Sequence, residues 1–447
     1  MSWISRSSVG LRAAFSRKSA TWEMWSIGLA GALILGAALR LVWVMDMEYK
    51  GDEAWIFDRT QQVGLTEPFR WVGMRSSLRF PFPGMQIWAF LLLSKVFAAK
   101  DPTMLTRAVQ LLNISAILLL LVFAFRMVCE EEREPWLWAA ALVSVNPLAV
   151  IFHRKIWPPS ILPVFTVLML MSWWNRDRRW GAFAWGLVGA CLGQIHMAGF
   201  FFSAGFVAWA VLFDRKRVSW LSWLGGSCLG ALPMIPWLRY VWTELGAQPI
   251  AAFKWTHWLE FRFWMRWAAE PFGFTLKYSL GQHFRDFLAY PSIGGVPTYF
   301  MGLVHLSIIV VAAIIFIRAA HLLWQDRRSW RAQWIGRGSS TAFTVNAAMW
   351  GFGILLTASG LPIHRHYMVI LFPLTFVWLA RLALGHDEDS DGAVRLGRAL
   401  LLILFISEGL LSAGFLYYIH VNQGAIHGDY GVAYGAQGFA LHPPLDY

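Results

Sequence analysis

Two adjacent carboxylates, Asp52 and Glu53, follow Gly51 shortly after a long apolar run at 24–45. A carboxylate at a membrane surface is placed to take a proton from an attacking hydroxyl. The same residues also suit the start of a short surface helix. Asp52 to Val63 carries apolar residues at 54, 55, 57 and 63 among polar ones, with Asp52 as its N-cap.

Cations recur in the same kind of place. His153, Arg154 and Lys155 end one apolar run and precede Trp157, Pro158 and Pro159. His364, Arg365, His366 and Tyr367 open another. Arg79 stands before Phe80-Pro81-Phe82-Pro83, Arg40 lies inside the first run near its far end, and His196 sits in a very short turn. Charges at membrane depth are costly and mark function by default. An Arg fork binds two phosphate oxygens at once. We therefore read Arg154, Lys155, Arg365 and Arg79 as phosphate-binding, and His153, His196, His364, His366 and Tyr367 as candidate substrate contacts. Arg40 alone reads better as snorkelling to lipid headgroups.

A membrane must position these residues. Of the 447 residues, 57% are hydrophobic and 14% charged, far from a soluble composition, and 28 tryptophans suit two membrane–water interfaces. The net charge of +12 lies in short clusters between apolar runs, which fits cytoplasmic loops rather than a nucleic-acid surface. Basic connectors occur at Asn175–Arg179, Asp214–Arg217 and 318–337, and the stretch before residue 24 is basic too. All fall on one side only if the run at 84–99, which is short and opened by Pro81 and Pro83, does not cross. The expectation is a single polytopic, all-α membrane domain (1–447) of about eleven transmembrane helices. Its N-terminus is cytoplasmic and its C-terminus extracytoplasmic, in a bacterial-type plasma membrane.

The long outside segments are then 46–102, with juxtamembrane helices, 243–296 and the tail 420–447. In 255–269 aromatics recur every three residues (Trp255, Trp258, Phe261, Trp264, Trp267), which predicts an interfacial membrane-anchoring helix. Cys129, Cys191 and Cys228 fall in no outside loop, so no disulfide framework is expected. There is no phosphate-loop motif, no His-Glu-x-x-His pair and no Gly-x-Ser-x-Gly turn. We predict no cofactor or metal site, with the question of a divalent ion left open. An outside site has no access to cytoplasmic nucleotide sugars, so the logical donor is a sugar on a polyprenyl phosphate. Membrane lipids are the surroundings, and nucleic acid is not a partner.

The ordered features resemble the GT-C class of membrane glycosyltransferases. The likeness is to glycosyltransferase family 39, including protein O-mannosyltransferases and the lipid A aminoarabinose transferase. The matching pieces are Arg40, the Asp52-Glu53 pair, the Pro-rich approach from Phe80 to Trp88, Arg107, Gln194-Ile195-His196, and His366 to Pro373. The aminoarabinose branch has Lys-Pro-Pro where this chain has Phe80-Pro81-Phe82-Pro83, with Arg79 as the nearby cation. The resemblance implies inverting transfer from a polyprenyl-phosphate sugar, with Asp52 as base, Glu53 beside it, and basic residues on the lipid phosphate. A lipid or glycan is the expected acceptor. The competing expectation is a transporter or flippase of a lipid-linked or anionic solute, which needs related halves and a midplane site.

Overall fold

The computed structural model describes residues 27–75, 80–245, 261–325, 335–336, 338–385 and 391–438. Arg79, Trp255 and Trp258 lie outside the described residues, as do the basic stretch before residue 24 and most of the basic segment 326–337. Elsewhere the chain is helical, with three short antiparallel strand pairs in its loops.

Helix α1 (Ile27–Leu41) leads to a surface helix α2 (Gly51–Gln62) and then to α3 (Met85–Val96). At 1.5 Å per residue α3 is about 18 Å long, short of the ~30 Å hydrocarbon layer. Helix α4 (Pro102–Arg126) is capped by Asp101, whose side chain accepts the N–H groups of Thr103 and Met104. Helix α5 (Glu130–Val145) breaks at Asn146-Pro147 into the single turn α6 (Pro147–Phe152). Then come α7 (Pro158–Trp174), α8 (Arg179–Ile195), α9 (Ala198–Phe213), α10 (Trp220–Ala231) and α11 (Ile235–Leu245).

Short helices α12 (Arg262–Ala269), α13 (Leu276–Leu280) and α14 (Phe284–Ala289) precede the long α15 (Phe300–Gln325). The chain continues through α16 (Ser340–Asn346), a π-turn and α17 (Gly353–Ala358). A 3-10 stretch Arg365–Leu371 then bends by 73° at Pro373 into α18 (Leu374–Leu384), and α19 (Asp391–Asn422) ends the bundle.

Among the described residues five helices are long and apolar enough to cross a membrane, or six if the bent pair is one span. The large apolar side chains exposed along α15, from Leu303 to Ile317, form a lipid-type surface. The chain is an all-α integral membrane protein. The interior is closed by aromatics such as Trp136, Trp173 and Trp185, with ring edges on neighbouring faces. Close approach is set at Gly36, where a Cβ would stand 2.7 Å from the Ser144 side chain. Only glycine lets α1 and α5 touch there.

Two expectations need correction. Asp52 is not the N-cap of α2. Lys50 holds that position, and the Glu53 carboxylate accepts the Lys50 backbone N–H at 3.0 Å. Asp52 therefore lies one residue inside the helix, its side chain not spent on a cap. Helix α12 is also more than a surface anchor. Phe263 and Trp267 are fully buried against protein, while Phe261 and Met265 stay exposed.

Candidate active site

A cavity of ≈ 470 Å³ opens where α2, the turn after α6, α12 and the segment 364–366 meet. Its size falls in the roughly 300–1,000 Å³ range of small-ligand sites. Helix α2 supplies Asp52 and Glu53 on its first turn, and Glu48 and Lys50 come from the loop before it. The turn after α6 supplies Lys155 and Trp157, since Pro158 and Pro159 start α7 and fix where Trp157 ends. His364, Arg365 and His366 enter at the start of the 3-10 stretch, and Arg266 from α12. Asp429 arrives from the hairpin that follows α19.

Asp52 is half-buried, and the Trp157 indole N–H donates to its Oδ2 at 3.3 Å. Trp157 stacks on Phe152, with centroids 5.7 Å apart, and its ring meets His366 edge-on at 4.6 Å. These rings make an apolar floor on which a charge is little screened.

Lys155 sits on that floor, its Nζ 4.4 Å from the Trp157 centroid. It pairs with Glu48 at 2.9 Å and Glu53 at 3.3 Å. Burial pushes the Glu53 carboxyl up, and Glu48 and Asp52 add to this against the pull of Lys155. For Glu48 burial also raises the carboxyl, but Lys155 and Lys50 outweigh it and hold it below the ordinary value. Burial opposes charge on Lys155, yet the two glutamates prevail and keep it cationic.

Arg365 is fixed from one side, its Nη1 donating to the Thr275 carbonyl and to Ser279 Oγ, both at 3.0 Å. Its Nη2 faces Asp429 Oδ2 at 3.6 Å. Arg266 Nη1 is buried and has no hydrogen-bond partner among the described residues. The cavity thus gathers an acid held by a tryptophan and, with Lys50, four cations of graded occupancy.

A second cluster lies on the other side of the same turn. Arg154 donates from Nη1 to the carbonyls of Leu39, Arg40 and Val42 at 2.7–3.0 Å, and from Nη2 to Trp43 at 2.9 Å. Arg107 donates to the Leu41 carbonyl between them. The last carbonyls of a helix have no intrahelical donors, and two arginines replace them at the end of α1. Arg40 does the same for α5. Pro147 has no N–H to give Val143, and Arg40 Nη2 donates there at 2.9 Å while Nη1 reaches Ser144 at 2.6 Å. Its Nε donates to His153 Nδ1 at 3.1 Å.

Of the residues chosen from sequence, Asp52, Glu53, Lys155, His364, Arg365 and His366 share the cavity wall. Arg154 and His153 do not line it. Arg154 holds the carbonyls at the end of α1, and His153 Nδ1 accepts from Arg40 while its Nε2 has no partner among the described residues. Arg40 is buried rather than snorkelling. His196 and Tyr367 form a layer behind His366, with ring centroids 5.4 and 4.7 Å from it. Burial, helped by His364, lowers the His196 imidazole to about 3, so it is neutral there. Glu48, Lys50, Arg266, Tyr278 and Asp429 also line the cavity and were not singled out as site residues from sequence. Glu48 carried a signal, being an acid in the same loop as Asp52, whereas Asp429 is a lone acid in a glycine-rich tail.

No family model matches the chain, and no curated protein does. Among solved structures, it is similar to the Archaeoglobus fulgidus oligosaccharyltransferase tethered with an acceptor peptide. That match has 15% identity and a TM-score of 0.46, and covers 87% of this chain and 55% of that one. The apo form of the same enzyme gives 13% and 0.44, with 87% and 56% covered. The Cupriavidus metallidurans ArnT bound to undecaprenyl phosphate gives 12% and 0.47, with 91% and 77% covered. Both proteins are GT-C glycosyltransferases. The chain spans just over half the length of the archaeal enzyme. At these TM-scores the three structures stand as likenesses only.

Proposed function

We propose that the chain is a glycosyltransferase moving a sugar from a polyprenyl-phosphate donor to a lipid or glycan acceptor on the extracytoplasmic face. The observation that carries this reading is the cavity in which Asp52, held by Trp157, shares a wall with Lys155, Arg266 and Arg365. In the proposed reaction the acceptor hydroxyl loses its proton to Asp52 as its oxygen bonds to the anomeric carbon. The bond from that carbon to the phosphate oxygen breaks on the opposite face, and its electron pair stays on the phosphate. Preorganised cations stabilise that developing charge. Glu53 keeps a positioning role, since its carboxylate is shared between the Lys50 N–H and Lys155. The eleven-span topology, with N-terminus cytoplasmic and C-terminus extracytoplasmic, belongs to the same proposal and puts the cavity on the outer side.

The test uses the purified full-length chain in proteoliposomes with radiolabelled sugar on undecaprenyl phosphate and a cell-envelope lipid extract. Label moving into a new lipid or glycan product supports the reading. Flux of a lipid-linked solute across the bilayer with no transfer product would replace it with the transporter reading.

A further inference from the structure

We propose that Asp429 discriminates phosphate charge at Arg365, disfavouring a phosphate monoester relative to a phosphodiester and so promoting release of the spent carrier. This rests on the reading of the cavity as the seat of the donor phosphate.

Arg365 is locked by the two hydrogen bonds of its Nη1, so Nη2 is the group presented to Asp429. The 3.6 Å separation is longer than a hydrogen bond, and the Asp429 side chain is 67% exposed. The pairing is therefore loose enough for a ligand phosphate to displace.

The carboxylate nevertheless stays at the cavity, because the backbone holds it there. The Asp429 N–H donates to the Tyr278 carbonyl at 2.8 Å, and its carbonyl accepts from Lys50 Nζ. The next N–H, of Tyr430, donates to the Ser279 carbonyl at 3.0 Å. At Gly428 a Cβ would lie 2.2 Å from the Ser279 oxygen, so the hairpin docks backbone to backbone. Displacement moves the carboxylate aside without removing it.

The charge balance makes this matter. Around the cavity Lys50, Lys155, Arg266 and Arg365 face Glu48, Asp52, Glu53 and Asp429. A sugar phosphodiester carries one negative charge, while the monoester left after transfer carries between one and two near neutral pH. In a near-balanced cavity the additional charge, placed at Arg365 Nη2, meets the Asp429 carboxylate directly. The reaction itself thus creates the species that Asp429 repels.

The experiment measures binding of undecaprenyl phosphate and of its methyl ester to the full-length chain in nanodiscs at one pH and ionic strength. Asp429→Asn is expected to raise the affinity ratio of monoester to methyl diester by about threefold, the scale of an exposed charge pair. Asp429→Ser keeps the backbone bonds of the hairpin and must shift the ratio the same way, while Asp429→Glu leaves it near wild type. Binding of both probes with an unchanged ratio in the Asn and Ser variants overturns this inference alone. Failure of the wild type to bind either probe overturns the phosphate reading, and this inference with it.

Discussion

Arg154 and Lys155 are neighbours in one turn, and they serve two regions built on opposite terms. On the Arg154 side, both Nη groups are spent on the carbonyls that end α1, with Arg107 beside them and Arg40 doing the same for α5, and of the Arg154 donors only Nε has no partner among the described residues. On the Lys155 side, cations meet carboxylates across an open cavity. A donor committed to backbone carbonyls has no capacity left for a ligand, whereas a cation paired with a movable carboxylate can exchange partners. Buried positive charge alone therefore does not identify a phosphate site. What the charge already touches decides it.

Asp52→Asn separates the two regions most sharply. The variant is expected to lose about 10³-fold in transfer rate, the scale of a general base. Its thermal unfolding should match wild type, since among the described residues the carboxylate accepts one side-chain hydrogen bond, from Trp157. A variant that folds and retains more than a tenth of the transfer rate would remove Asp52 from the base role.

Arg154→Ala tests the other region. The carbonyls of Leu39, Arg40 and Val42 lose their Arg154 donor and that of Trp43 keeps only the Asp46 N–H, so unfolding in detergent should be destabilised by about 3 kcal/mol. Transfer per folded molecule should change little. Arg154→Lys is not expected to rescue it, because one ammonium cannot span four carbonyls. An unchanged unfolding midpoint with abolished transfer would return Arg154 to the phosphate.

The membrane character and the acidic loop were legible in the sequence because apolar length and adjacent carboxylates are local signals. The division between Arg154 and Lys155 was not, because it depends on where the ends of α1 and α5 fall. The capping role passed from Asp52 to Glu53 for a similar reason, as the N-cap falls at Lys50, two residues earlier than the polar pattern suggests. The tail's part in the site rests on contacts between residues such as Tyr278 and Asp429, far apart in the chain, which no periodicity encodes.

Glu270 links the two regions from behind. It is fully buried, accepts the Thr275 hydroxyl, and its carbonyl receives Asn146 Nδ2 at 3.1 Å, at the break between α5 and α6. Burial, against the pull of Thr275, Arg365 and Arg266, raises its carboxyl from 4.5 to about 7. The folded state therefore holds a proton that the unfolded state has lost between those two values. Stability present below pH 4.5 declines as pH rises towards 7, by about 2–3 kcal/mol in all. Glu270→Gln should flatten that slope in unfolding measured from pH 4.5 to 7.5. A variant with the wild-type slope would assign the pH dependence to another group.

Arg266→Ala is the smallest of these effects and the finest probe of the cavity side. Arg365 and Lys155 already have partners, so a ligand phosphate gains from them only what it takes from Asp429, Glu48 and Glu53. Arg266 Nη1 has no protein partner to lose among the described residues, so an anion that reaches it gains a charge-assisted hydrogen bond outright. Removing it should raise the donor KM about tenfold, the lower end of a charged hydrogen bond. The unfolding midpoint should stay within the small range of a half-exposed substitution. A lowered midpoint with unchanged KM would make Arg266 a support of α12, and would leave Lys155 and Arg365 as the cations that meet the phosphate.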